Sequence, residues 1–194
     1  QSCGHCENSF DYNLDLYSEA YTDAIYRDPD GLLKSFERVR QLNVGESDNL
    51  GRVAYVDRAI KNYSDFNYKS KILDVGAGMG IFVYEMSRLG YECTAIDPDA
   101  RNVLHISDNI GVRAIQGDYL ELELDEIFDV VTFNKVLEHV PEPADLLKIS
   151  KNNLENNGLF YVEVPDAEQA MNYGTDREEF FIDHFHIFSM ESAG

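Results

Sequence analysis

The period at which apolar residues recur changes near residue 70. Upstream they recur at helical spacing, with Tyr17, Tyr21 and Ile25 four positions apart, as on one face of a helix. Pro29 suits an early residue of the next helix, which the pattern predicts over 31–42. The run VGESDNLG (44–51) breaks the periodicity, and a further helix is predicted from about Arg52 to Tyr63. From Lys71 onward, short β-rich runs alternate with helical segments, the texture of βαβ units on a parallel sheet. Strands are predicted at 71–75, 92–96, 112–116, 128–133 and 158–164, with helices at 79–89, 99–109 and 142–155. The organisation expected is a polar, cysteine-bearing stub over 1–10, helices over 11–66 that lid or flank the main unit, and an α/β domain over 67–194.

Composition narrows the function. The chain has 194 residues and 44% hydrophobic content, enough for one full core. Acidic residues outnumber basic ones 36 to 16, giving a net charge of −20. Such a surface repels a phosphate backbone, so nucleic acid is not the expected partner. No apolar stretch approaches the roughly 20 residues of a membrane span, and the first residues do not read as a signal peptide. A cytoplasmic protein without a membrane partner is expected. Cys3 and Cys6 are three positions apart and Cys93 falls in a predicted strand, which suggests no disulfide framework.

The chemistry starts at ILDVGAGMG (72–80), an apolar run ending in an acid and then in glycines at 76, 78 and 80. The loop follows a predicted strand and opens a predicted helix, so backbone N–H groups there are expected to meet a polar ligand that the glycines admit to the main chain. The spacing is neither that of the dinucleotide fingerprint nor that of a P-loop, and no Gly-Lys-Ser/Thr follows. Asp97 closes the next strand, 19 residues after Gly78, where a carboxylate can accept both hydroxyls of a ribose. No lysine or arginine lies between Lys71 and Arg88. A nucleoside bearing a positive charge fits this loop better than a pyrophosphate.

Five stretches in order, ILDVGAGMG, AIDPD (95–99), IQGDYLEL (115–122), FDVVTFNKVLEHVPEP (128–143) and NNGLFYVEVP (156–165), resemble the class I S-adenosylmethionine-dependent methyltransferases over roughly residues 70–190. The resemblance implies a doubly wound, mostly parallel α/β sheet with the cofactor over the C-terminal strand ends. It also implies cofactor contacts: Asp74, Gly76, Ala77 and Gly78 at the methionine and ribose portion, Asp97 on the ribose, Pro98 against the adenine, and Asp118 and Tyr119 at the adenine edge. Gly80 would allow close helix packing, and Asn134 would face the methionine end and the substrate. Taken alone, Asp97 could be a capping or loop residue and Asp118 a turn former. Glu138 and His139 form a tempting acid/base pair in a stretch that the resemblance marks as a structural turn.

The end of the chain bears on the acceptor. FFIDHFHIFS (180–189) is similar to a segment of sugar C-methyltransferases, with His184 at the position of their proposed general base and Phe181 where a tyrosine accompanies it. Proton removal suits a histidine. A His184 packed among Phe180, Phe181, Phe185 and Phe188 is the equally weighted alternative, and Asp183, His184 and His186 could instead suggest a metal site. CGHC (3–6) is half of a four-cysteine zinc site. The resemblance to methyltransferases with a small zinc module makes Cys3 and Cys6 candidate zinc ligands in a longer protein. SMESAG (189–194) looks like the start of a helix, so a chain clipped at the C-terminus is expected. The expected activity is methyl transfer to a small molecule, a sugar or nucleotide-sugar first and a quinone-like O-methyl acceptor second, with a non-catalytic cofactor-binding scaffold as the competing class. Tyrosines recur from Tyr12 to Tyr63 and would serve a substrate lid or a dimer contact equally. Monomer and homodimer stay open.

Overall fold

A computed structural model describes residues 4–7, 30–43, 45–62, 69–168, 172 and 184–193; the Tyr17/Tyr21/Ile25 face, Cys3, Phe180, Phe181 and Asp183 lie outside them. The run KILDV forms β2 (Lys71–Val75), four of whose five residues are buried. Such a strand, apolar on both faces, belongs at the centre of a parallel sheet. β2 pairs in parallel with β3 (Glu92–Asp97) on one side and β5 (Phe128–Asn134) on the other, Ile72 lying opposite both Cys93 and Val130. β4 (Arg113–Gln116) and β6 (Leu154–Glu163) complete the sheet in the order β4-β3-β2-β5-β6, all parallel. The fold is α/β and doubly wound, as expected, and chain direction across the sheet reverses between β2 and β5.

Alternation along the strands sends side chains to two cores. On one face Ile72, Ala95 and Val130 pack with Phe82, Val83 and Met86 of α3 (Ile81–Arg88) and with Val53, Val56 and Ile60 of α2 (Asp48–Asn62). On the other, Leu73, Val75, Ile96, Val131 and Phe133 pack with Leu146 of α5 (Pro143–Ser150). α2 is thus part of the core wall, and the Asp57 carboxylate pins it by accepting from the Tyr91 hydroxyl at 2.8 Å. α1 (Gly31–Val39) buries Leu32 and Phe36, with Phe36 edge-on to Tyr84 and His105. α4 (Ala100–His105) continues into a π-helical turn at Ile106–Ile110.

Three boundaries differ from expectation for visible reasons. α2 starts at Asp48 rather than near Arg52, because the Ser47 hydroxyl accepts the Asn49 N–H and makes the polar run a helix start. The predicted helix over 142–155 ends at Ser150, a single 3₁₀ turn follows at Lys151–Asn153, and β6 begins at Leu154 rather than at 158. Asn153 stops the helix: its amide donates to the Leu124 and Glu126 carbonyls at 2.6 and 2.9 Å and its carbonyl accepts the Tyr119 hydroxyl. The polar run after it is absorbed by a register shift against β5 between Phe128 and Val130. Outside the main sheet, β1 (Cys6–Glu7) pairs antiparallel with β7 (His186–Ile187), ahead of α6 (Met190–Ala193). The stub that holds CGHC is therefore knitted to the far end of the chain.

Candidate functional site

Where a doubly wound sheet reverses, the loops at the carboxyl ends of adjacent strands part and leave a crevice. Here those ends belong to β2 and β5. Asp74 of β2 is 1% exposed, and its Oδ1 accepts the Thr132 hydroxyl and the Asn134 amide, both at 2.7 Å. Burial pushes this carboxyl up to about 7, although the two hydrogen bonds and the nearby Arg52 pull it down. Asp74 therefore acts as an internal strut that aims Asn134. The carbonyl Oδ1 of Asn134 is buried and has no hydrogen-bond partner among the described residues, so a ligand donor placed there would satisfy a group that is costly to leave unmade.

The glycine loop offers room rather than amides. The N–H groups of Gly76 and Ala77 both donate to the Ile96 carbonyl, that of Gly80 to Ala77, and that of Gly78 to Asp97 Oδ2 at 2.7 Å. The expectation of free loop amides is corrected for these four residues, because a parallel neighbour, β3, ends alongside the loop and takes three of them, and the loop itself takes that of Gly80. Gly76 (φ +71) and Gly80 (φ +77) are required: a Cβ would stand 2.6 Å from Val136 and 2.7 Å from Ile106 respectively. Gly78, by contrast, has nothing within 4 Å of the Cβ position. Asp97 is 5% exposed; Oδ1 accepts from Asp99 N–H and the Asn102 amide while Oδ2 takes only Gly78. A carboxylate has about four acceptor sites, so Asp97 keeps capacity for a hydroxyl. Burial raises its pKa, against the opposing pull of Asn102.

Beside Asp97 lies a cavity of about 190 Å³ bordered by Gly76, Ile96, Pro98, Asp118, Tyr119 and Val136, among others. Its walls suit a flat apolar ring. Asp118 is exposed and accepts Leu120 N–H through Oδ1, which leaves Oδ2 for a ligand. The Tyr119 side chain turns into the core, its hydroxyl bonded to Asn153 at 2.8 Å, so it can serve the cavity only through its backbone.

Across the crevice is a site that sequence reading missed. Arg52 of α2 grips Glu163, at the end of β6, through both Nε and a terminal nitrogen, with Nε at 2.7 Å. Its other terminal nitrogen donates to Asn49, and the Tyr161 hydroxyl donates to Glu163 at 2.8 Å. Although burial pushes the Glu163 carboxyl up, the hydrogen bonds and charge of Arg52, with help from the Tyr161 hydroxyl and Lys135, together outweigh it and hold it below its usual range. These groups line an open cleft of about 550 Å³ with Ser47, Asp48, Gly51 and Tyr55. Lys135, in the left-handed region at φ 57, follows Asn134 and pairs with Asp48 at 3.4 Å. The signal in the chain is an arginine one position before the apolar stripe Val53, Val56 and Ile60.

His184 is 5% exposed and stands edge-on to His139, ring centroids 4.7 Å apart. His186 does not share that position: its Nε2 meets the Pro141 carbonyl at 2.9 Å and its Nδ1 meets His5 at 3.2 Å. The Cys6 thiol is exposed, with a contact of 3.9 Å to the Gly4 carbonyl. Cys6 and Cys93 are free thiols, and no helix among the described residues is long and apolar enough to cross a membrane.

Residues 50–193 match the family of methyltransferase domains. The chain belongs to this family, in keeping with the class I S-adenosylmethionine-dependent resemblance of its motifs. Among curated relatives, a ubiquinone biosynthesis O-methyltransferase of Caulobacter vibrioides is 34% identical over 98 residues, covering 47% of this chain and 39% of the relative. One of Idiomarina loihiensis is 28% identical over 141 residues, covering 69% of this chain and 53% of the relative. The chain thus spans about half the length, or less, of these relatives. In fold it is similar to an S-adenosylmethionine-dependent methyltransferase of Clostridium acetobutylicum (TM-score 0.58, 15% identity, 69% of this chain and 57% of that one). It also resembles a TehB-like methyltransferase of Corynebacterium glutamicum (TM-score 0.55, 22% identity, 70% and 73%).

Proposed function

We propose that this chain binds S-adenosylmethionine across the ends of β2, β3 and β5 and transfers its methyl group to a hydroxyl of a small, quinone-like aromatic. The observation that carries the reading is the buried Asn134 Oδ1, held by Asp74 at the mouth of the glycine loop and lacking a donor among the described residues. An α-ammonium group is the donor such an acceptor suits. Asp97 would take the ribose through Oδ2, and Pro98, Asp118 and the Tyr119 backbone would border the adenine. Arg52, already buried and oriented by Glu163, would face the α-carboxylate.

When bound, the sulfonium supplies a methyl group already activated for transfer. The protein's part is therefore alignment and proton removal. Asn134 sets the methionine end, and we assign the acceptor proton to the Glu138–His139–His184 cluster next to the cavity. The curated relatives favour oxygen over sugar carbon as the acceptor, and Phe181, in place of the accompanying tyrosine, weakens the carbon reading.

Calorimetric titration with S-adenosylhomocysteine, alongside NAD as a control, tests the site. Micromolar binding of the former alone is expected, followed by release of S-adenosylhomocysteine in the presence of a catechol acceptor. Binding without turnover on any phenolic or sugar acceptor would leave a scaffold, and binding of NAD instead would remove the assignment.

A further inference from the structure

The Asp97 carboxylate is held by donors from three places. Its Oδ1 accepts Asp99 N–H at 2.9 Å and the Asn102 amide at 3.0 Å, and its Oδ2 accepts Gly78 N–H at 2.7 Å. An ionised carboxylate offers about four acceptor sites, split evenly between its oxygens. Oδ1 is therefore full, and among the described residues one site is left, on Oδ2. That oxygen is the one beside Gly78, where nothing stands within 4 Å of the Cβ position, so the remaining site opens on the side of the glycine loop.

Asn102 is the side chain that closes Oδ1. It is 6% exposed and is the third residue of α4, whose N-cap is Asp99. In a capping box the side chain at this position reaches back to the N-cap N–H. Here the Asp97 carboxylate takes the Asp99 N–H instead, and Asn102 donates to the same oxygen. An asparagine is a poor helix former and its amide is costly to bury unless bonded, so its place follows from the bond it gives. The helix that carries it is itself clamped. Ile106, just past α4, packs so closely on Gly80 that a Cβ there would stand 2.7 Å from it. His105 is buried, with its ring edge-on to Phe36 of α1 at 4.8 Å. α4 is thus packed directly on the glycine loop, and the plane of the carboxylate between Asn102 and Gly78 is fixed.

We propose that Asn102 is a positioning residue that reserves Asp97 for one ribose hydroxyl: by filling Oδ1 it leaves Oδ2 to accept a single O–H, and the other hydroxyl has no partner on this carboxylate. The inference rests on the methyl-transfer reading above for the identity of the ligand, and it departs from the expectation that Asp97 accepts both hydroxyls. A carboxylate that holds both loses affinity when either is removed, whereas one that holds a single hydroxyl tells the two apart.

The test is calorimetric titration of S-adenosylhomocysteine and of its 2′-deoxy and 3′-deoxy analogues into the parent, Asn102→Ala and Asn102→Leu chains. In the parent, one analogue should bind about tenfold or more weakly than S-adenosylhomocysteine and the other within about twofold of it, because a hydrogen bond to a charged group is lost in one case only. Without the Asn102 amide the carboxylate is free to turn a second acceptor toward the ribose, and the difference between the analogues should shrink to about threefold or less. A merely structural role would weaken all three ligands together and keep their ratio. Equal losses for the two analogues in the parent, or the parent's ratio retained in the variants, overturns the proposal; if Asn102→Ala does not fold, the parent and Asn102→Leu, which is close to it in volume, decide. Binding of S-adenosylhomocysteine with no difference between the analogues removes this inference and leaves the cofactor assignment, whereas no binding of S-adenosylhomocysteine to the parent removes both.

Discussion

The crevice has two sides built on different principles. On the β3 side, Asp97, Pro98 and Asp118 sit within or just after neighbouring strands and border a small, largely apolar cavity. On the α2 side, Arg52 and Glu163, 111 residues apart in sequence, meet as a half-buried ion pair over a wide polar cleft. The first side is made by local turns that any chain with these motifs would form. The second exists only once α2 has docked on the sheet. Geometry on the first side can rest on local structure, while that of the second is set by tertiary packing.

The largest expected effect falls on the local side. Asp97→Ala should lower S-adenosylhomocysteine affinity by about 1.5–3 kcal/mol, the range for hydrogen bonds to a charged group, as read by calorimetry. Unchanged affinity would break the division just drawn. Arg52→Ala should weaken the same ligand and also destabilise the fold by about 1–2 kcal/mol, because Glu163 is left partly buried without its cation. Chemical denaturation measures the second loss, and a cycle with Glu163→Gln separates the pair from the ligand contact.

Asp74 sharpens the comparison through pH. Its folded pKa of about 7 lies above the ordinary 3.8, so the stability this group contributes is full below about pH 4 and is lost as pH rises to about 7. Asp74→Asn should flatten that part of the stability profile in thermal melts. The ligand's α-ammonium prefers the ionised carboxylate, so affinity for S-adenosylhomocysteine should climb through pH 7 in the parent and much less in the variant. The smallest effect is expected at Tyr119→Phe, which removes the hydroxyl bonded to Asn153: about 0.5–1.5 kcal/mol of stability, with cofactor affinity unchanged because only the backbone faces the cavity.

Much of the sheet was legible because its central strands are apolar runs bounded by polar turns; β2 and β3 are found within a residue of where the pattern predicts them. β6 was misjudged at its start, since LENN carries no strand signal and is held by Asn153 and a register shift. Within the site, Asp97 could be read from its distance to the glycine loop. The strut role of Asp74 could not, because it depends on Thr132 and Asn134, 58 and 60 residues away in sequence. Arg52 was invisible for the same reason, and the meeting of His184 with Glu138 and His139 depends on a single long-range backbone bond, from Phe185 N–H to the Glu138 carbonyl.

The ladder between β1 and β7 pairs Cys6 with Ile187 and Glu7 with His186, and beside it the His5 ring meets His186 across 181 positions of sequence. In kinetic terms it is a very late contact: so large a loop closes only after the sheet has gathered the intervening chain. With two residues on each side it is also among the first to open under hydrogen exchange. The segment bearing His184 hangs between this ladder and the end of β5. A molecule with its sheet fully formed can therefore still lack the proposed acceptor-facing cluster, and on that proposal chemical competence becomes the last event of folding.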